Sequence, residues 1–175
     1  MGDSLITVVA IFLAAILMFV FPLMAMSERN DDVSQLTVQT AVSEFTNNAA
    51  SVGKISMADY EKLVAALYAT GNTYDIQIEI RVFDDNPAKK QQALMSDDDK
   101  VGENIYYSIY TTQVMEELDQ SGVKYMKDGD QLIVKAVNTN NTISQMLKSF
   151  FYGLTGSNTY SIVGSESAPV TATGR

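Results

Sequence analysis

The sequence predicts an α+β chain: an N-terminal transmembrane helix running into a helical spine, packed on a small antiparallel sheet with additional helices. Three observations carry that expectation. Residues 5–26, LITVVAIFLAAILMFVFPLMAM, hold no charged side chain. A helical apolar stripe follows at Val38, Val42, Phe45, Ala49 and Val52, with the i, i+4, i+7 spacing of a one-sided helix. Farther on, YDIQIEIRVF at 74–83 alternates apolar and polar residues, the period of a half-buried antiparallel strand.

The apolar stretch is long enough to matter. At ~1.5 Å per residue it spans roughly the ~30 Å hydrocarbon core of a bilayer. A cleaved secretory signal has a basic flank, an apolar core of about 7–15 residues and a small-x-small cleavage site. Here the flank is Met1-Gly2-Asp3 and the run ends in Met24-Ala25-Met26, so the stretch reads as a retained anchor. Positive charge does not orient it, because Arg29 is offset by Glu28, Asp31 and Asp32. Pro22 removes a backbone donor late in the run and predicts a kink near the interface. The chain divides into a stub at 1–4, a transmembrane helix at 5–26, a spine at 27–53 and an α+β domain at 54–175. The first two helical stretches could form one rod of about 50 residues.

Composition restricts what the domain can do. The net charge of −9 argues against nucleic acid as a partner. With no cysteine and no histidine, zinc fingers, thiol chemistry, disulfides and Ser-His triads are excluded.

Element by element, Gly53 stops the spine, and Ser56 caps a second helix with Asp59 in its first turn. Tyr60, Leu63, Val64, Leu67 and Tyr68 form its apolar face, and Gly71 ends it. In the strand, Ile76, Ile78, Ile80 and Val82 share a face opposite Asp75, Gln77, Glu79 and Arg81. A loop follows at 84–103. A helix is expected at about 106–120, closed by Gly122. Strands at 123–126 and 131–137 flank Lys127-Asp128-Gly129-Asp130, a strong hairpin signal. Thr142 caps a helix with Ile143, Met146, Leu147, Phe150 and Phe151 on one face. That face packs in the core or lies in the outer membrane interface. A last strand from residues 160–163 and 169–173 is expected to bulge near Gly164.

Chemistry is sparse. Asp97, Asp98 and Asp99 are a weak candidate Ca²⁺ site without EF-hand spacing, and a solvated charge run is the plainer reading. Ser51/Lys54 and Ser121/Lys124 match the Ser-x-x-Lys spacing of serine acyltransferases, but the companion SDN and KTG motifs are absent. Asn140-Asn141-Thr142 is a glycosylation sequon. No catalytic constellation emerges, and no cofactor is expected.

The anchor, the spine, DQLIVKAV at 130–137, the apolar helix from 143 and VGSESAPVTAT at 163–173 together resemble the type IV pilin and pseudopilin superfamily. The C-terminal part resembles that of TadE/TadG-like pseudopilins of tight-adherence pilus systems. The resemblance implies an extracytoplasmic domain on a single-pass anchor in the cell membrane. It implies partners among membrane lipid and other pilin-like or pilus-assembly subunits, in a homo- or hetero-oligomer. It also implies Gly2/Asp3 as a prepilin processing site, and Leu5, Thr7, Ile11, Leu13, Phe19 and Pro22 on the membrane and assembly helix. Family members commonly carry Glu as the fifth mature residue, where this chain has Thr7. That departure points to a tip or minor subunit, or an unprocessed anchored accessory protein, rather than a shaft subunit. The competing expectation is an anchored ligand-binding or sensory domain, with the tyrosine-rich run 106–110 lining its site. A membrane-tethered Ser-Lys hydrolase is the third.

Overall fold

The computed structural model describes residues 2–84, 106–152 and 161–174; the side chains of residues 2, 3 and 150–152 are outside the description. The fold is α+β. A single helix, α1 (Gly2–Val52), occupies the whole N-terminal part. The remaining elements are β1 (Lys54–Ser56), α2 (Met57–Tyr68), β2 (Tyr74–Phe83), β3 (Tyr106–Tyr110), α3 (Thr111–Ser121), β4 (Val123–Tyr125), β5 (Gln131–Asn138), α4 (Ile143–Tyr152) and β6 (Val163–Pro169).

The main sheet has strand order β3-β2-β5-β6 and is antiparallel throughout. Its register places apolar side chains in rows across one face. Ile80, Leu132 and Ala168 align in one row, and Ile76, Ala136 and Gly164 in another. Ile78, Ile80, Val82, Leu132, Val134 and Ala136 are buried. The C-terminal half of α1 covers this face with Val38, Val42, Phe45 and Ala49, as the helical stripe predicted, while Val52, the last residue of that stripe, is exposed. Leu63 and Leu67 of α2 and Val114 and Leu118 of α3 complete the core.

The helix signals at 53–71 hold. Gly53 adopts φ +74°. A Cβ there would lie 2.1 Å from the Ala172 carbonyl oxygen, so the C-terminal segment can close over the end of α1 only across glycine. Ser56 caps α2 by accepting the Asp59 N–H at 3.2 Å. β1, the three residues before α2, has no apolar alternation to announce it and exists by pairing with β4.

Three expectations are corrected. The stretch 106–120 is not one helix: it is strand β3 followed by helix α3. The β2–β3 ladder ends at Glu79–Tyr110. At the next position the Thr111 hydroxyl takes over, accepting the Ile78 N–H at 2.7 Å and donating to the Ile78 carbonyl at 3.2 Å. A side chain thus replaces the next backbone pair and frees the chain to turn into a helix.

The expected hairpin is also absent. The turn at 127–130 forms, with Gly129 at φ +92° and the Asp130 N–H donating to the Lys127 carbonyl at 3.1 Å. The strands on either side join different sheets, β4 with β1 and β5 with β2 and β6. Asp130 is buried and fixes this crossing. Its carboxylate accepts the Phe83 N–H at 2.9 Å and the Lys127 N–H at 2.8 Å. Its backbone also pairs with Val170 rather than folding back on residue 127 alone.

The last strand runs Val163–Pro169 without a bulge, in continuous register with β5. Gly164 serves helix approach instead. A Cβ there would stand 2.8 Å from Val38 Cγ1 and 3.1 Å from Val42 Cγ2.

Candidate functional site: the two halves of the long helix

One continuous helix carries two different surfaces. Residues 4–26 of α1 are mostly exposed among the described residues. Leu5, Ile11, Leu13 and Phe19 are 56–74% exposed, and Thr7 and Pro22 are exposed as well. The helix continues through Pro22. The most apolar 18-residue window has a mean hydropathy of 2.9, and none of it is buried. Among the described residues this is the one helix long and apolar enough to cross a membrane. A core helix of a water-soluble domain would have its apolar side covered. Here no part of the described chain covers it, and outside the turn that Pro22 interrupts the interior backbone groups are satisfied within the helix, the condition that lipid imposes.

From residue 31 the surface changes. Asp31 and Ser34 are buried, then Val38, Val42, Phe45, Thr46, Ala49 and Ala50. The attachment to β6 is polar as well as apolar. Gln35 donates from Nε2 to the Val163 carbonyl at 2.7 Å and accepts the Val163 N–H on Oε1 at 2.9 Å. Gln39 does the same with Ser165, at 3.1 and 3.2 Å. The two glutamines are four residues apart on a helix, ~6 Å of rise, and their targets are two apart on a strand, ~6.6 Å. The match lets a helix pair with the open edge of a strand as a neighbouring strand would. An edge strand left bare is a template for unwanted pairing; here α1 occupies it. One helical turn farther, the Ser43 hydroxyl donates to Glu166 Oε2 at 2.6 Å.

At the junction between the halves, α4 lies beside α1. Thr142 donates to Asp31 Oδ2 at 2.8 Å, both residues being buried. Lys148 Nζ stands 3.0 Å from Glu28 Oε1. Thr142 caps α4 as expected: its hydroxyl accepts the Gln145 N–H and its own N–H donates to Gln145 Oε1. A cleft of about 410 Å³ opens here, lined by Met26, Asn30, Asp31, Asn72, Asn140 and Ile143 among others.

The sequence-predicted site residues fare differently. The assembly-helix residues share the bare half. Ile143 and Met146 are 58% and 52% exposed and Leu147 is half-buried, so these two do not pack in the core. The side chains of Phe150, Phe151, Gly2 and Asp3 lie outside the description, as do residues Asp97, Asp98 and Asp99 altogether. Ser51 donates to the Asn48 carbonyl. Ser121 donates to the carbonyls of Glu117 and Val123, and the Lys124 ammonium meets Glu117 Oε1 at 2.6 Å. Tyr106, Tyr107 and Tyr110 stand exposed on the edge strand β3. In the sequon, Asn140 Nδ2 donates to Asn72 Oδ1 at 3.1 Å. Sequence reasoning passed over Gln35, Gln39 and Ser43. Their signal was a polar row at 35, 39 and 43 beside the apolar stripe, easily read as a solvated face.

No protein-family model, characterised protein or solved structure matches this chain.

Proposed function

We propose that this is a single-pass membrane protein with an extracytoplasmic domain, acting as a minor pseudopilin-like component of a pilus or related secretion assembly. The observation that carries the reading is α1: one 51-residue helix, bare and apolar at one end, built into a sheet domain at the other. Such a helix delivers its domain to a fixed place relative to the bilayer and offers its bare side to neighbouring helices. The bare side does not stop at the membrane. Val33 and Leu36, one turn apart on α1, are 57% and 68% exposed beyond the apolar stretch. Leu36 is ten residues past Met26, ~15 Å along the helix. These exposed apolar residues lie one polar turn, Arg29 and Asn30, beyond the larger bare face and extend the surface it offers to a partner. Thr7 supplies no carboxylate of the kind that pairs with a neighbour's terminal amine, which favours low copy number over a shaft role.

The test is a photo-crosslinking amino acid at Leu36, with a second at Phe19, in the native host membrane. The reading predicts ultraviolet-dependent adducts from both positions to other anchored subunits. Monomer alone from both positions contradicts it.

A further inference from the structure

We propose that α4 is a second membrane-contact element: a short helix lying in the headgroup layer, its Ile143/Met146 face turned to the acyl chains of the bilayer that α1 crosses. The inference rests on the reading of residues 5–26 as a membrane span, and adds a lipid-binding surface to the folded domain itself.

Glu28 and Asp31 lie two and five residues past Met26, ~3 and ~7.5 Å along α1. The polar layer of a bilayer extends roughly 5–8 Å beyond the hydrocarbon on each side. Both acids therefore stand in the headgroup region. α4 is fastened to both of them, through Thr142 to Asp31 at 2.8 Å and through Lys148 to Glu28 at 3.0 Å. Its N-terminal end thus sits at the outer boundary of that layer, and by Lys148 the helix has descended toward the hydrocarbon. Ile143 lines the same cleft as Met26, the last residue of the apolar stretch, and Ser27.

The orientation of α4 agrees. Ser144 is buried, and Lys148, one turn on, reaches α1. Ile143 and Met146, three apart, fall on a different side of the helix and are more than half exposed. On a domain surrounded by water these would be two large apolar side chains without a partner among the described residues. At headgroup depth they meet the boundary where interfacial helices bury their apolar side chains ~5–10 Å deep. Ile143 and Met26 line one cleft, and the tethering of α4 to Glu28 and Asp31 at headgroup level selects lipid as the occupant.

The chain has no cysteine, so single introduced cysteines can be labelled uniquely. Full-length Met146→Cys, Ile143→Cys, Leu13→Cys and Tyr125→Cys proteins would carry a bimane label in phosphatidylcholine nanodiscs, with and without lipids brominated high on the acyl chain or near its end. Tyr125 is exposed in β4, which pairs with β1 just past the far end of α1. The proposal predicts at least a twofold loss of fluorescence at 146 and 143 with shallow bromines, at Leu13 with deep ones, and no loss at 125. Unquenched labels at 146 and 143 beside a quenched label at 13 overturn the proposal and leave the span intact. Blue-shifted but unquenched emission at 146 and 143 means a protein surface covers α4, and overturns it equally. An unquenched label at 13 removes the span and the proposal together.

Discussion

The N-terminal half of α1 is apolar around its whole circumference, whereas the C-terminal half is apolar along one stripe. That difference decides where each can live. A stripe is satisfied by one sheet face, and the rows led by Ile78, Ile80, Leu132 and Val134 supply it. A helix apolar all round cannot be covered by a sheet on one side and calls for apolar surroundings on every side. The same backbone thus joins two environments, and the change occurs between Met26 and Asp31, where side chains pass from exposed and apolar to buried and polar.

One substitution in each half separates the two environments. Val42→Asp puts an unpaired carboxylate among fully buried side chains. It is expected to cost about 4 kcal/mol or more and to unfold the domain in detergent urea titrations. Leu13→Asp should leave the domain's urea midpoint unchanged. Its cost, ~3 kcal/mol at bilayer depth, should be read out as loss of the protein from the membrane fraction. Next in size is Gly164→Ala. The added methyl would press on Val38 and Val42, so a loss of about 1–3 kcal/mol is expected by the same titration.

The glutamine clamp should give less. Gln35→Ala and Gln39→Ala each remove two hydrogen bonds to β6 and should cost about 1–2 kcal/mol apiece. The double variant also bares the outer edge of β6, so light scattering should reveal self-association that neither the parent nor Val33→Ser shows.

The smallest effect is a pH slope on the outer face of the sheet. The Ser108 hydroxyl and then the Arg81 guanidinium, both hydrogen-bonded to Glu79, hold its carboxyl below the ordinary range. A depressed folded-state pKa contributes stability that is present above the unfolded value, about 4.3, and is lost as pH falls through the folded value. Glu79→Gln should flatten the stability curve below about pH 4.3 and leave it parallel to the parent's above about pH 6.

Much of the fold was legible because it rests on local period and punctuation. The α1 stripe, the alternation through Ile78 and Ile80, the Ser56 and Thr142 caps and the Gly53 and Gly122 stops all encode structure within a few residues. What escaped depends on partners far away in the chain. Thr111 ends a strand only because Ile78 stands beside it. The Asp128-Gly129 turn failed as a hairpin because Ile55 and Asp130 draw its flanks to different sheets. Gly164 looked like a bulge because its reason, the Val38 side chain, lies more than a hundred residues upstream. The bare half of the candidate site was evident in its composition. The clamp by Gln35 and Gln39 was not, because a glutamine on a helix surface carries no mark of the backbone it will bind.

The central claim is that one helix crosses the bilayer with its first half and holds the domain outside with its second. Intact host cells expressing Thr40→Cys or Leu13→Cys protein, treated with a membrane-impermeant maleimide, test it most directly. Thr40 is exposed on the packed half. The account predicts labelling at 40 before lysis, and none at 13 either before lysis or in opened membranes. Labelling at 13, or labelling at 40 only after the cells are opened, would contradict it.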